Sequence, residues 1–305
     1  MDYSGLAAGF LTAILSSSAF LASTWALRRT KGLSPHGLMI NAGVWMGILS
    51  LGFLAVFWCP ALFTRGFVSR LPALAGASVF FSLGQTCVFV AQRNVEASRV
   101  VPLLGLKLPM LALISVVFFH DSLGPWQFLA IFLAVAAAFL LNHAGKRIPL
   151  TSIVFVLAGC LSYCLSDLSL NTLTRRIAAD LGESTFLAAL HCTALTYIGV
   201  AVLALAALCF TRASLTTPAV FRSIPFSCFW IGCIIALNFC FARLGTVHGT
   251  LLQNTRGIFT LLLTPVCIAM GCTALENKLT ANLFWRRMAA ATLVFLAILV
   301  YQVGK

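Results

Sequence analysis

The stretch from Leu251 to Met270, LLQNTRGIFTLLLTPVCIAM, is apolar enough to cross a bilayer, yet it carries Gln253, Asn254, Thr255 and Arg256 in its first half and Pro265 in its second. A cation held among about twenty apolar residues costs roughly 2.5–3.5 kcal/mol on insertion scales. A chain keeps such a residue only where a partner or a ligand offsets that cost. The rest of the sequence is therefore expected to be a scaffold that places Arg256 beside one or the other.

The surrounding composition fixes the class. Of 305 residues, 61% are hydrophobic and 9% charged, and the mean hydropathy is +1.02. A soluble domain carries about 25% charged residues, and no single water-soluble core hides this much apolar surface. The long unbroken apolar runs exclude a β-barrel, which leaves an all-α membrane protein with the lipid bilayer as its surroundings. The net charge of +13 comes from 20 Lys and Arg against 7 Asp and Glu. Most basic residues fall between the apolar runs, as membrane-surface anchors do. No basic stripe is interleaved with aromatics on a polar face, so nucleic-acid binding is excluded. The 11 cysteines are scattered through apolar segments without a CxxC pair, Cys160 and Cys164 lying one helical turn apart; they read as small buried hydrophobes. The first apolar run is too long for a signal-peptide core and follows Asp2 rather than a basic segment, so no signal peptide is expected.

Apolar runs lie near 5–27, 36–58, 71–92, 95–119, 126–143, 150–174, 185–210, 223–242, 247–270 and 283–302. Each is near the ~20 residues that a bilayer core requires, so ten transmembrane helices are expected, joined by short loops with no room for a soluble domain. The two halves, 1–148 and 149–305, resemble each other. WALRR (25–29) matches TLTRR (172–176), FVAQR (89–93) matches CFAR (240–243), and KLPMLALISVVFFHDSLG (107–124) matches LLTPVCIAMGCTALENKLT (262–280). Pro109 and Pro265 pair at the same offset as Leu123 and Leu279. Five spans per half is odd, so the second copy enters the membrane upside down. Inverted five-helix repeats are a signature of secondary transporters whose substrate site lies at the midplane between the halves.

This pattern resembles the drug/metabolite transporter superfamily, in particular its EamA-like members, over nearly the whole chain. The resemblance implies two five-helix repeats whose fourth and ninth helices run into a Gly-Glu-x-Leu-Thr-like turn. Here the turn is degenerate, HDSLG at 120–124 and ENKLT at 276–280. TRGIFT (255–260) is similar to a Thr-Arg-x-Phe-Phe-Thr segment of the nucleotide-sugar branch. The resemblance also implies that both termini face the cytoplasm, whereas the basic loops after spans 1, 5 and 7 give a small opposing bias. In a bacterium the membrane is the cytoplasmic one. Both a monomer and a homodimer are compatible with the sequence.

Within the spans, Arg99 and Lys107 lie eight residues apart, within about 80° on one helical face. Arg99, one turn inside, is placed either to snorkel or to line a pathway; Lys107, mid-span, is expected to line a pathway. Pro102 and Pro109 allow kinks that free carbonyls near the centre. Arg256 is expected to contact either a ligand or a structural partner, with Gln253 and Asn254 beside it to fix ligand polar groups. Cations against so few buried acids favour a carboxylate or phosphate on the ligand. Asp167, the mid-membrane acid, shares a helical face with Asn171 and Thr174 and is placed either to carry a proton or to pair with a base. Glu96 and Arg99 have the spacing of an i,i+3 ion pair. Gln85 and Asn238 occupy similar places in the two halves and hydrogen-bond a ligand or a neighbouring helix. Trp25 anchors at the interface or stacks on a ligand ring. Ser16, Ser17, Ser18 and Thr24 suit helix packing. His191 and His248 have no partner at metal spacing, so no metal and no cofactor is expected.

The expected function is secondary transport of a small polar, anionic organic metabolite. A nucleotide-sugar or sugar-phosphate exchanger of the same superfamily is the near alternative, and a non-transporting scaffold or receptor the distant one. An intramembrane enzyme lacks its signatures, since there is no HExxH, no GxSxG and no second mid-span Asp beside Asp167. A primary pump lacks a GxxxxGK[ST] loop.

Overall fold

Helices begin and end where capping chemistry allows. α1 (Tyr3–Arg29) starts at Asp2, whose carboxylate accepts the amides of Ser4 and Gly5 at 3.0 and 3.2 Å; these contacts, with the Ser4 hydroxyl first among them, hold Asp2 below its ordinary pKa. It ends on Arg28 and Arg29, cations at the negative end of the helix dipole. α2 (Pro35–Val56) starts with Ser34 capping the Gly37 amide and Pro35 in the first turn, where the missing N–H costs nothing. After the one-turn α3 (Ala61–Thr64) come α4 (Phe67–Asn94) and α5 (Ala97–Leu103). α5 tightens into a 3-10 turn at Leu104–Leu106. Then follow α6 (Pro125–His143), α7 (Leu150–Leu181), α8 (Thr185–Phe210), α9 (Thr217–Asn254), α10 (Arg256–Ala269) and α11 (Ala281–Val303). The structure is a computed structural model that describes residues 2–64, 66–107, 109–110, 114, 124–143, 148–210, 216–272, 275 and 281–303. The HDSLG turn except Gly124, the ENKLT turn, Lys146 and Arg147, and the side chain of His248 lie outside the described residues.

Among the described residues there is no strand, and six helical segments are long and apolar enough to cross a membrane: α1, α2, α4, α7, most of α8 and Thr217–Phe241 of α9. These six fit a multi-pass membrane protein. The other four expected runs fall on α5, on the 19-residue α6, on the 23-residue α11 and, divided at Thr255, on α9 and α10. α9 itself is not straight. A Cβ built on Gly9 lies 2.8 Å from Leu252 Cβ and 3.1 Å from Cys240 Sγ. Twelve residues of straight helix span about 18 Å, so α9 doubles over between those positions, where the sequence places the end of one apolar run and the start of the next.

The strongest packing pairs are α1 with α9, α4 with α7, α2 with α8, and α6 with α11, while α5 crosses α10. That crossing is close: a Cβ on Gly257 lies 3.2 Å from the Cα of Pro102, so only glycine seats there without displacing backbone. One continuous core draws Phe20, Met46, Phe81 and Val101 from the first half together with Tyr163, Tyr197, Phe226 and Trp230 from the second. Outside it, large apolar side chains such as Leu51, Phe132, Phe139, Val202 and Phe210 are exposed, as bilayer-facing surfaces require.

Candidate binding site among the buried cations

α7 organises the centre. Cys160, Tyr163, Cys164 and Asp167 recur at helical spacing on one face, and each meets a neighbour from another helix. The thiol of Cys164 donates to the Lys107 carbonyl at 3.3 Å, and Cys160 approaches the Leu103 and Leu104 carbonyls at 3.9 Å. These are backbone groups that the 3-10 turn after Pro102 loosens, so α7 satisfies what the kink frees. The kink delivers Lys107 to Asp167, and the two form an ion pair.

Tyr163 donates its hydroxyl to Gln85 Oε1 at 2.5 Å. Gln85 is 0% exposed, and its Nε2 has no hydrogen-bond partner. Arg256 lies beyond, at the first position of α10. Thr255 ends α9 there, its hydroxyl donating to the Leu252 carbonyl at 2.6 Å. Arg256 is 2% exposed, with its guanidinium 5.6 Å from the Phe20 ring centroid. Its backbone carbonyl accepts the hydroxyls of Ser17 (2.8 Å) and Thr260 (2.7 Å). Its Nε and Nη2 have no hydrogen-bond partner, and no carboxylate lies within ion-pair distance among the described residues. Tyr163, Cys233, Cys160 and Asp167 are the titratable groups around it. Gln253, three residues earlier, is buried with Oε1 unpartnered. Asn254 is buried next to it, and Asn171 lies half-buried one turn beyond Asp167.

The other expected residues lie elsewhere. Arg99 is buried rather than snorkelling, 3.8 Å from Glu96. It belongs to a cluster at the Arg29 end, where Arg287 of α11 reaches Glu96 at 3.4 Å and Ser98 Oγ at 2.5 Å. Asn238 donates to Thr193 Oγ1 at 2.9 Å and so ties α9 to α8. Trp25 lies under Arg222, whose Cζ is 5.8 Å from the ring centroid. Ser16, Ser17, Ser18 and Thr24 all bond carbonyls of their own helix. His191 holds Glu183 at 2.8 Å and the Phe57 carbonyl at 2.9 Å, a tie between the ends of α2 and α8. Among the described residues no group of three His, Cys, Asp or Glu is placed to hold a metal ion.

The sequence reading missed the aromatic wall beside Arg256. Trp230 meets Phe20 edge-on at 5.5 Å, stacks against Phe226 at 5.6 Å and lies 6.4 Å from Tyr163; its Nε1 donates to the Tyr197 hydroxyl at 2.7 Å. The available signal was position. Tyr and Trp gather at membrane interfaces, so Tyr163, Tyr197 and Trp230 in mid-run mark buried polar handles that need partners. Arg287 was also missed; the adjacent Arg286 and Arg287 at the start of the last apolar run were its signal.

No family model and no curated protein matches the chain. Among solved structures it is similar to a crystal structure described only as "Crystal structure of protein", over 100% of both chains, with a TM-score of 0.64 at 13% sequence identity; that likeness extends to the fold alone.

Proposed function

We propose that the chain is a secondary transporter of a small organic anion, built as ten transmembrane helices in two inverted repeats, 1–148 and 149–305. Support for the repeats comes from the packing pairs. Exchanging the halves maps α1 onto α7, α2 onto α8, α4 onto the first arm of α9, α5 onto the second arm with α10, and α6 onto α11. Under that exchange the α1–α9 pair becomes the α7–α4 pair, while α2–α8 and α6–α11 map onto themselves, so the four strongest packing pairs are unchanged as a set, and the α5–α10 crossing also maps onto itself. The EamA-like resemblance of the sequence points to the same architecture.

One observation carries the anion: Arg256 is buried with two guanidinium nitrogens unpartnered. Leaving a buried charged donor unmade costs more than an ordinary hydrogen bond gains, and a carboxylate or phosphate removes that cost. Gln85 Nε2 and Gln253 Oε1 add one donor and one acceptor. The Lys107–Asp167 pair then supplies coupling. An anion that draws Lys107 away strands the Asp167 carboxylate, and a proton on Asp167 neutralises it, so anion and proton enter together.

Flux into proteoliposomes tests this, using panels of carboxylates, phosphate esters, neutral sugars and organic cations under an imposed pH gradient. The expected result is proton-driven uptake of an anion that Arg256→Ala suppresses. Uptake confined to neutral or cationic solutes, or none at all, sinks the reading.

A further inference from the structure

The cavity of about 280 Å³ that opens on the outside of α2, α4 and α8 is not part of the Arg256 site. Its lining is apolar, with Val79 and Leu83 from α4, Ile40 from α2, and Leu203 and Ala207 from α8. The two hydroxyls in it are already spent, Ser82 on the Ser78 carbonyl at 2.8 Å and Thr86 on the Ser82 carbonyl at 2.7 Å. Apart from His36 at one end, the lining offers no free hydroxyl donor, so the groove suits hydrocarbon. The three helices are each long and apolar enough to cross a membrane, so the groove faces lipid.

Its depth and mouth identify the occupant. Val79 lies near the middle of the 28-residue α4. Val79, Thr86 and Arg93 are spaced by seven residues and so fall on one helical face, and the fourteen residues between Val79 and Arg93 rise about 21 Å. The groove itself, from Val79 to Thr86, rises about 10 Å toward one surface, inside the ~15 Å of one leaflet's hydrocarbon, and Arg93 lies beyond it at headgroup depth, about half of the ~40–45 Å that a bilayer spans with its headgroups. At that surface the α4 face ends in exposed Arg93, and exposed His36 stands in the first turn of α2. An apolar slot that opens toward one surface, with a cation two turns beyond it at headgroup depth, matches a lipid with an anionic headgroup.

We propose that this groove holds one acyl chain of an anionic phospholipid whose phosphate is bound by Arg93 and His36. The site rests on the chain being membrane-embedded and is independent of transport and of Arg256. Native mass spectrometry tests it on the full chain, delipidated in detergent and incubated with phosphatidylglycerol or phosphatidylcholine. The wild type is expected to retain phosphatidylglycerol at least fivefold more than phosphatidylcholine. Arg93→Gln is expected to bring the two to parity, and the groove-filling Ala207→Phe to abolish retention of both. Leu83→Trp, at a half-exposed position, is a second filling variant in case Ala207→Phe does not fold. Leu205→Phe, at an exposed site on α8 outside the groove lining, should leave retention unchanged. Equal retention of the two lipids by wild type, an Arg93→Gln preference that persists, or filling variants that still bind lipid overturns the proposal. So does a dimer that Ala207→Phe dissociates, which assigns the groove to a second copy of the chain.

Discussion

Lys107 and Arg256 are both cations buried within apolar runs, yet their surroundings differ. Lys107 follows a loosened turn of α5 and meets Asp167 of α7 in an ion pair. Arg256 opens α10 against Phe20 and leaves two of its nitrogens unpartnered. A paired charge has its burial cost offset within the fold. An unpaired one leaves that cost standing until something outside the fold meets it. The difference separates a coupling element from a ligand anchor, although both residues cost about the same to insert.

The largest effect should come from breaking the satisfied member. Asp167→Asn leaves Lys107, 5% exposed, without its counter-charge. Breaking a buried pair costs 3–5 kcal/mol; with Asp167 itself 23% exposed, the expectation is the lower end, about 3 kcal/mol. Thermal unfolding in detergent measures this, and Lys107→Met in the same chain should recover most of the loss. In the protein that survives, uphill accumulation under a pH gradient should vanish while counterflow exchange remains. Normal accumulation by Asp167→Asn contradicts the coupling role.

Arg256 should behave in the opposite sense. Arg256→Ala removes a charge that no carboxylate holds among the described residues, so melting should stay near wild type. Anion binding should weaken by about 1.5–3 kcal/mol, the range for charge-assisted hydrogen bonds, which is tenfold or more in Kd. Arg256→Lys should not fully restore binding if the contact is bidentate. If Arg256→Ala melts several degrees lower and its survivors bind with unchanged affinity, the residue is structural and the contrast with Lys107 collapses.

The contrast also marks how far the sequence can be read. The buried cations were legible because charge within an apolar run is costly wherever it occurs. The helix ends at Asp2, Ser34–Pro35 and Arg28–Arg29 follow capping and dipole preferences that act locally, a signal that the reading by apolar runs did not use. The choice of partner was not legible. Lys107 and Asp167 lie sixty residues apart, and nothing in either stretch encodes the other. Nor could core aromatics be told from lipid-facing ones. Phe226 is fully buried and Phe132 exposed, yet both sit in apolar runs, because in a bilayer the outer face is as hydrophobic as the core and periodicity loses its meaning. For the same reason the division of the ninth run at Thr255 was invisible: it depends on where α10 crosses α5 at Gly257, which is a tertiary contact.

A smaller effect tests the edge of the site. Gln85→Met removes an unpartnered donor and leaves the Tyr163 hydroxyl without its acceptor. Stability should fall by about 1–3 kcal/mol for the orphaned hydroxyl, and binding by about 1 kcal/mol, the worth of one neutral hydrogen bond. Isothermal titration of the solute found by flux, beside unfolding, separates the two. Unchanged binding with lowered stability places Gln85 in the packing alone.

The smallest effect is expected at Trp25, and it decides how far the Arg256 site extends toward the Arg29 end. The sequence allowed Trp25 either to anchor at the interface or to stack on a ligand ring. In the structure its ring lies under Arg222, and Arg222 in turn donates to the Arg29 carbonyl at 3.0 Å and to Thr30 Oγ1 at 3.1 Å. That arrangement ties α9 to the last turn of α1 and involves none of the groups around Arg256. Trp25→Leu should therefore cost about 0.5–1 kcal/mol, the worth of a cation–π contact at an exposed site, and leave ligand Kd within about twofold, a change of about 0.4 kcal/mol. Arg222→Gln should cost more, because it also removes the donors to the Arg29 carbonyl and Thr30 Oγ1, and the double variant should add little to Arg222→Gln alone, because the two share the ring contact. A Kd that rises fivefold or more in Trp25→Leu but not in Arg222→Gln means that the ring touches the ligand. The anchor at Arg256 then forms only one end of a longer site, and the comparison with Lys107 has to be redrawn to include the helix end.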